Sequence, residues 1–130
     1  MFKHTRSVYL KETDATGVIY FTSLFQYALE AFESYLHSKN FSLSEVFDKG
    51  YLMPIVHAEA DYKAPLRVGN LIAIHLAISH VGVKSFSMSS QIELTSTKQI
   101  AGSVKIVHAF VRQGEKESCP IPSDLLQFLQ

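Results

Sequence analysis

The sequence predicts an α+β fold in which a curled antiparallel sheet wraps around one long apolar helix. Three observations predict it. Apolar residues recur at helical spacing from about Thr22 to His37, four strand-like runs follow in series, and the later runs are joined by turns too short for parallel crossovers. At 130 residues the chain is sized for one core, so residues 1–130 are expected to form a single domain.

The elements follow in order. Lys3 to Leu10 alternates weakly and reads as a strand ending at the polar Lys11-Glu12-Thr13-Asp14. After a loop, Leu24, Ala28, Ala31 and Tyr35 make one helical row and Phe25, Leu29, Phe32 and Leu36 the next, an apolar face wide enough to need cover on most sides. Only Gln26, Glu30, Glu33 and Ser34 read as solvent-directed, and Thr22 or Ser23 is placed to cap the helix start. Ser42-Leu43-Ser44-Glu45 has capping-box spacing, and Gly50 stops the short second helix it opens. Ile55 to Tyr62, Leu71 to Val81, Phe86 to Thr95 and Ile100 to Arg112 are then strands, rich in Val, Ile, Phe, Thr and Ser and bounded by turn residues. Ser123 to Leu129, after Pro120 and Pro122, is a closing helix.

Composition narrows the function classes. Twelve Lys+Arg against twelve Asp+Glu leave no net charge with which to hold a nucleic acid or an anionic membrane surface. Hydrophobic residues make up 47% and charged ones only 18%, more apolar surface than a lone small domain easily hides, so an oligomer is expected. The N-terminal run MFKHTRSVYLKETD lacks the apolar block of a secretory leader, and the longest uncharged stretches, 15–29 and 70–83, fall short of the ~20 residues of a membrane span. A cytoplasmic location with no membrane partner is expected. Cys119 has no partner thiol and reads as incidental in a polar tail. The six histidines share no ligand spacing, so neither a metal nor another cofactor is expected.

Nucleophile elbows, phosphate loops, dinucleotide fingerprints and the zinc-protease motif are all missing. What remains is Asp14-Ala15-Thr16-Gly17-Val18-Ile19-Tyr20-Phe21. A carboxylate and a glycine are followed by four apolar residues that run directly into a helix start. Unpaired backbone N–H groups at that start can stabilise an oxyanion, so the segment holds two parts that acyl transfer needs. A plainer account also fits the spacing: Asp14 caps a turn and Gly17 supplies a positive φ. The apolar surroundings are expected to desolvate Asp14 and raise its pKa above the ordinary carboxylate value. Lys63, Arg67, Lys84 and Arg112 are candidates for anionic phosphate groups on a ligand, against the ordinary alternative of solvated surface cations. Tyr20 and Phe21 line either a pocket or the core, and His57 is either a structural histidine or a ligand contact.

Asp14-x-x-Gly17-Val18-x-Tyr20-Phe21 resembles the signature of the 4-hydroxybenzoyl-CoA thioesterase family of hotdog-fold enzymes. Tyr62-Lys63-Ala64-Pro65-Leu66-Arg67-Val68-Gly69-Asn70 is similar to that family's second-strand and turn pattern, and Lys84-Ser85-Phe86-Ser87 to its next strand start; the likeness runs over roughly residues 5 to 112. Within the family, Pro54-Ile55-Val56-His57-Ala58 most resembles the branch of 1,4-dihydroxy-2-naphthoyl-CoA hydrolases of phylloquinone biosynthesis.

The resemblance implies a hotdog fold, an acyl-CoA substrate and a homodimer or homotetramer with sites at the subunit boundary. It implies Asp14 as nucleophile or general base and the backbone N–H of Phe21, or of its neighbour at the helix start, as oxyanion donor. Gly17, Tyr20, Phe21, His57, Lys63, Arg67, Lys84 and Ser85 become the implied substrate-binding set. Phe21 stands where relatives acting on short acyl groups carry His, which favours an aromatic acyl group. Asn70 stands where relatives often carry Asp, so no acidic role is expected there. The alternatives are a thioesterase for another acyl-CoA or acyl-carrier thioester, and a non-catalytic acyl-CoA-binding module.

Overall fold

The computed structural model describes residues 1–129. Strand β1 (Phe2–Ser7) runs into a 3-10 turn at Leu10–Glu12, and a loop leads to helix α1 (Ser23–Ser38). A short helix α2 (Leu43–Asp48) and strand β2 (Tyr51–Leu52) precede β3 (Ile55–Tyr62), β4 (Leu71–Val81), β5 (Ser85–Leu94), β6 (Gln99–Ala109), β7 (Val111–Arg112) and helix α3 (Ser123–Leu129). The main sheet has the order β1-β4-β5-β6-β3 with every neighbour antiparallel, and it curls around α1 as the sequence predicts.

The core is the seam between α1 and the inner face of the sheet. Leu24, Tyr27, Ala28, Ala31, Phe32 and Leu36 of the helix are buried against Ile72, Ile74 and Leu76 of β4, Phe86, Met88 and Ile92 of β5, and Val104 and Ile106 of β6. Fully burying each large aliphatic or aromatic side chain contributes about 1.5–3 kcal/mol, and the period-2 and period-3.6 patterns put those side chains on facing surfaces. The helix packs close against the sheet at Gly102. A Cβ there would lie 2.7 Å from Leu24 Cδ1 and 3.0 Å from the Asp61 carbonyl oxygen. Glycine lets α1 settle onto β6 beside the start of the helix.

Four local expectations are corrected. β1 ends at Ser7 instead of Leu10, because the Glu12 carboxylate accepts the Tyr9 N–H and winds residues 10–12 into a turn. The long last strand breaks at Phe110, whose N–H donates to the Lys84 carbonyl; Val111–Arg112 then leaves the main sheet and pairs with β2. Cys119 is buried instead of lying in a polar tail, its N–H bound to the Phe110 carbonyl and its side chain in the core. Glu30 is not merely solvated: it pairs with His4 Nε2 and Arg6 Nη1, each at 2.7 Å.

The open edges of the sheet are β1 and β3. Along β3, Ile55 is 45% and Val56 61% exposed, so apolar side chains flank an unpaired row of backbone donors and acceptors.

Candidate active site

The segment between the 3-10 turn and α1 is a closed loop. Thr13 and Ile19 form an antiparallel bridge, and Asp14 N–H donates to the Val18 carbonyl at 2.9 Å. Gly17 N–H donates to the Asp14 carbonyl at 3.1 Å, with Gly17 at φ +80°, a region open to glycine at little cost. The loop lies on the β3–β4 connection through a Val18–Arg67 bridge and through Ile19 N–H to the Leu66 carbonyl. That connection is itself shaped by Asn70, whose Oδ1 accepts the Arg67 N–H at 2.7 Å, so the side chain at 70 serves a turn.

A cleft of about 480 Å³ opens between the loop and the ends of β3 and β6, lined by residues that include Asp14, Tyr20, Phe21, Tyr62, Lys63 and Pro65. It is lined mostly by apolar groups, with one carboxylate and one ammonium. Tyr20 and Phe21 stand out from the surface at 47% and 59% exposure, their rings in tilted contact with centroids 4.8 Å apart. The Phe21 carbonyl accepts the Tyr62 hydroxyl, which ties the last turn before α1 to the end of β3. The Phe21 N–H donates to no acceptor among the described residues.

Asp14 is fully exposed, and its pKa lies below the ordinary carboxylate value, the reverse of the desolvation expected from its apolar neighbours. The Thr16 hydroxyl donates to Oδ1 at 2.5 Å and the Thr16 N–H at 2.8 Å, and both bonds favour the charged form. Ile19 is buried in the core, Val18 packs against it, and the Tyr20 and Phe21 rings stand out from the surface, so the apolar residues after Gly17 do not close over the carboxylate. The plainer account of the spacing therefore describes the local geometry correctly: Asp14 does cap this turn.

Of the residues singled out in the sequence, Asp14, Tyr20, Phe21 and Lys63 share the cleft, and Gly17 and Arg67 form its shoulder: a Cβ on Gly17 would lie 4.0 Å from Arg67 Nη1. The others are elsewhere in the subunit. Lys84 and Ser85 sit at the opposite end of the sheet, since Ser85 pairs with Ala109 and the cleft is at Ala101, roughly 25 Å along β6 at ~3.3 Å per residue. His57 lies partway along β3, exposed, with Nε2 2.9 Å from Glu59 Oε1; it is not a core histidine. Arg112 lies in β7 with its guanidinium over the Tyr51 ring. Tyr62 and Thr16 are the contributors that residue-type reasoning passed over. Their signal was position: two residues after the carboxylate for Thr16, and the last residue of a strand abutting the loop for Tyr62.

Among the described residues no cluster of three or more His, Cys, Asp or Glu side chains is arranged to hold a metal ion, and no helix is long and apolar enough to cross a membrane.

The family model that matches the chain is that of the thioesterase-like superfamily, over residues 8–129. A 1,4-dihydroxy-2-naphthoyl-CoA hydrolase from Rippkaea orientalis is 32% identical, over 100% of this chain and 96% of the relative. Among solved structures, a 1,4-dihydroxy-2-naphthoyl-CoA thioesterase from Synechocystis superposes with a TM-score of 0.92 at 29% identity, over 98% of this chain and 94% of that one. A gentisyl-coenzyme A thioesterase superposes with a TM-score of 0.84 at 26% identity, over 95% and 98% of the respective chains.

Proposed function

The chain belongs to the thioesterase-like superfamily, with a hotdog α+β fold and thioester hydrolysis as its activity, and from that premise we propose that its substrate is an aromatic acyl-CoA, specifically 1,4-dihydroxy-2-naphthoyl-CoA. Hydrolysis would release 1,4-dihydroxy-2-naphthoate and CoA, a step of phylloquinone biosynthesis. The observation that carries this reading is the cleft that holds the Asp14 carboxylate, the exposed Tyr20 and Phe21 rings and Lys63 together. The 1,4-dihydroxy-2-naphthoyl-CoA and gentisyl-coenzyme A thioesterases among the similar structures support it.

In this reading the thioester carbonyl lies between Asp14 and the free N–H of Phe21. A thiolate is a good leaving group, so one ionised carboxylate suffices. Asp14 either attacks the carbonyl carbon, giving a mixed anhydride that water then opens, or takes a proton from the attacking water. The Phe21 N–H stabilises the oxyanion formed on either route. Neither route requires a metal or cofactor.

The site is completed by a second copy of the chain. Antiparallel pairing of two β3 edges about a twofold axis sets the Tyr62 end of one subunit beside the Ile55 end of the other. The partner subunit's Lys84 and Ser85 then come to the end of the joined sheet that holds Asp14, and the apolar edge is covered. This accounts for a substrate-binding set divided between the two ends of one subunit. Light scattering at micromolar concentration is expected to give a dimer or tetramer; a monomer contradicts this arrangement.

The substrate assignment is tested by free-thiol release from a panel of naphthoyl, benzoyl, acetyl and butyryl thioesters of CoA and of acyl-carrier protein. Preference for the aromatic CoA thioesters supports it. Preference for an aliphatic or carrier-bound thioester replaces it with that substrate.

A pH profile tests the role of Asp14. Because Thr16 stabilises the charged form, kcat/KM for the free enzyme should persist below the pH at which an ordinary carboxylate protonates, and decline only as pH falls through the lowered pKa. Thr16→Val removes the hydroxyl donor and is expected to move that acid limb to higher pH. An unmoved limb means that another group governs it.

A further inference from the structure

We propose that Glu12 is a positioning residue for thioester hydrolysis, fixing both ends of the loop that carries Asp14 and the Phe21 amide; this rests on the function proposed above. Glu12 is not among the residues lining the cleft. It lines a separate, polar groove along α1, on the other side of the Tyr20 ring.

Its backbone carbonyl closes the loop. It accepts the Tyr20 N–H at 2.8 Å and the Ser23 hydroxyl at 2.8 Å, so the residue immediately before Phe21 and the first residue of α1 are both bound to a point two residues before Asp14. The carbonyl can hold that point only if the turn bearing it is itself fixed, and the Glu12 side chain does this. One carboxylate oxygen accepts the Tyr9 N–H at 2.9 Å and the Tyr27 hydroxyl at 3.1 Å, and the other is paired with Arg6 Nη2. The side chains of Arg6 and Glu12 are only 11% and 12% exposed.

The partners are held in turn. The Arg6 guanidinium lies 5.0 Å from the Tyr9 ring centroid and 4.7 Å from that of Tyr27, and its other arm reaches Glu30 at 2.7 Å. Burial and the Glu12 charge push the Tyr27 hydroxyl well above its ordinary pKa, so it remains a donor at any working pH. One side chain thus joins β1, the 3-10 turn and α1 at the root of the loop. Hydrogen-bonded groups this sheltered from water have few alternative geometries. A shift of the reacting groups by 1 Å can cost about 100-fold in rate, so a support that prevents such a shift is expected to appear in kcat.

The experiment compares Glu12→Ala, Glu12→Gln and Tyr27→Phe with the unaltered enzyme on the aromatic CoA thioester. Rates are expressed per site, with sites counted by stoichiometric binding of a non-hydrolysable thioether analogue of the acyl-CoA, so that unfolded protein is not counted. Glu12→Ala is expected to lose about 10- to 100-fold in kcat per site with KM and analogue affinity within about threefold. Glu12→Gln keeps an oxygen for Tyr9 and Tyr27 but turns amide N–H donors toward the Arg6 guanidinium, so it should restore only part of that loss. Tyr27→Phe, which removes one hydroxyl and keeps the ring, should lower kcat in the same sense.

Unchanged kcat per site in the Glu12 variants, or loss of kcat and analogue affinity together, overturns the proposal. If Glu12→Ala does not fold, the Gln and Phe variants decide by the same criterion. An active Asp14→Asn enzyme would instead overturn the functional reading beneath it, so the two failures are separable.

Discussion

Asp14→Asn is expected to lower kcat for thioester hydrolysis by at least about 100-fold while leaving fold and assembly intact. The substitution keeps the shape and the Oδ1 that accepts from Thr16, so the turn can persist, and it removes the charge that both chemical routes require. Little stability depends on that charge, because the carboxylate is fully exposed and its contacts are local. Thiol release measures the rate, and circular dichroism with light scattering shows whether the scaffold is unchanged. Near-normal turnover would remove Asp14 from the mechanism.

Naphthoyl and benzoyl thioesters are expected to be hydrolysed at least about 10-fold more efficiently than acetyl-CoA or butyryl-CoA. Tyr20 and Phe21 present exposed rings at a cleft whose other walls include Tyr62 and Pro65, a surface suited to a flat group. A bicyclic ring covers roughly 50 to 100 Å² more than a short chain, and at about 25 cal/mol per Å² this contributes ~1 to 2.5 kcal/mol. Held into the transition state, that is about 10- to 70-fold in kcat/KM. Phe21→Ala should narrow the ratio chiefly through the aromatic substrates. Equal efficiency for the aliphatic thioesters would discard the pocket argument without touching Asp14.

What could be read from the sequence depended on how locally each feature is encoded. Helix α1 was legible because Leu24, Ala28, Ala31, Phe32 and Leu36 repeat with the period of the element that buries them. The sharing of one cleft by Asp14, Tyr20, Phe21 and Lys63 was accessible because three of them lie within eight residues and the fourth follows a strand end. The sign of the Asp14 pKa shift was not accessible. It depends on whether the apolar residues close over the carboxylate or leave it in water, which is a tertiary property. Glu12, Arg6, Tyr27 and Glu30 were illegible as a group for a related reason. Each reads as an ordinary surface charge or core aromatic until β1 and α1 meet. Cys119 was misread because a polar neighbourhood in sequence does not show which side of the chain turns inward.

The strand order has a consequence for how the molecule comes together. β4, β5 and β6 follow one another through tight turns, whereas β1 and β3 reach their neighbours from distant parts of the chain. Short closures cost less chain entropy than long ones, so the three-strand meander is favoured to assemble early and the flanking strands to join it late. The hydrogen bonds of the loop bearing Asp14 go to the late-joining parts: the turn after β1, the end of β3, the β3–β4 connection and the start of α1. On the function proposed above, a chain caught midway through refolding would show most of its sheet signal and no hydrolase activity. Catalytic competence thereby becomes a report on completed folding.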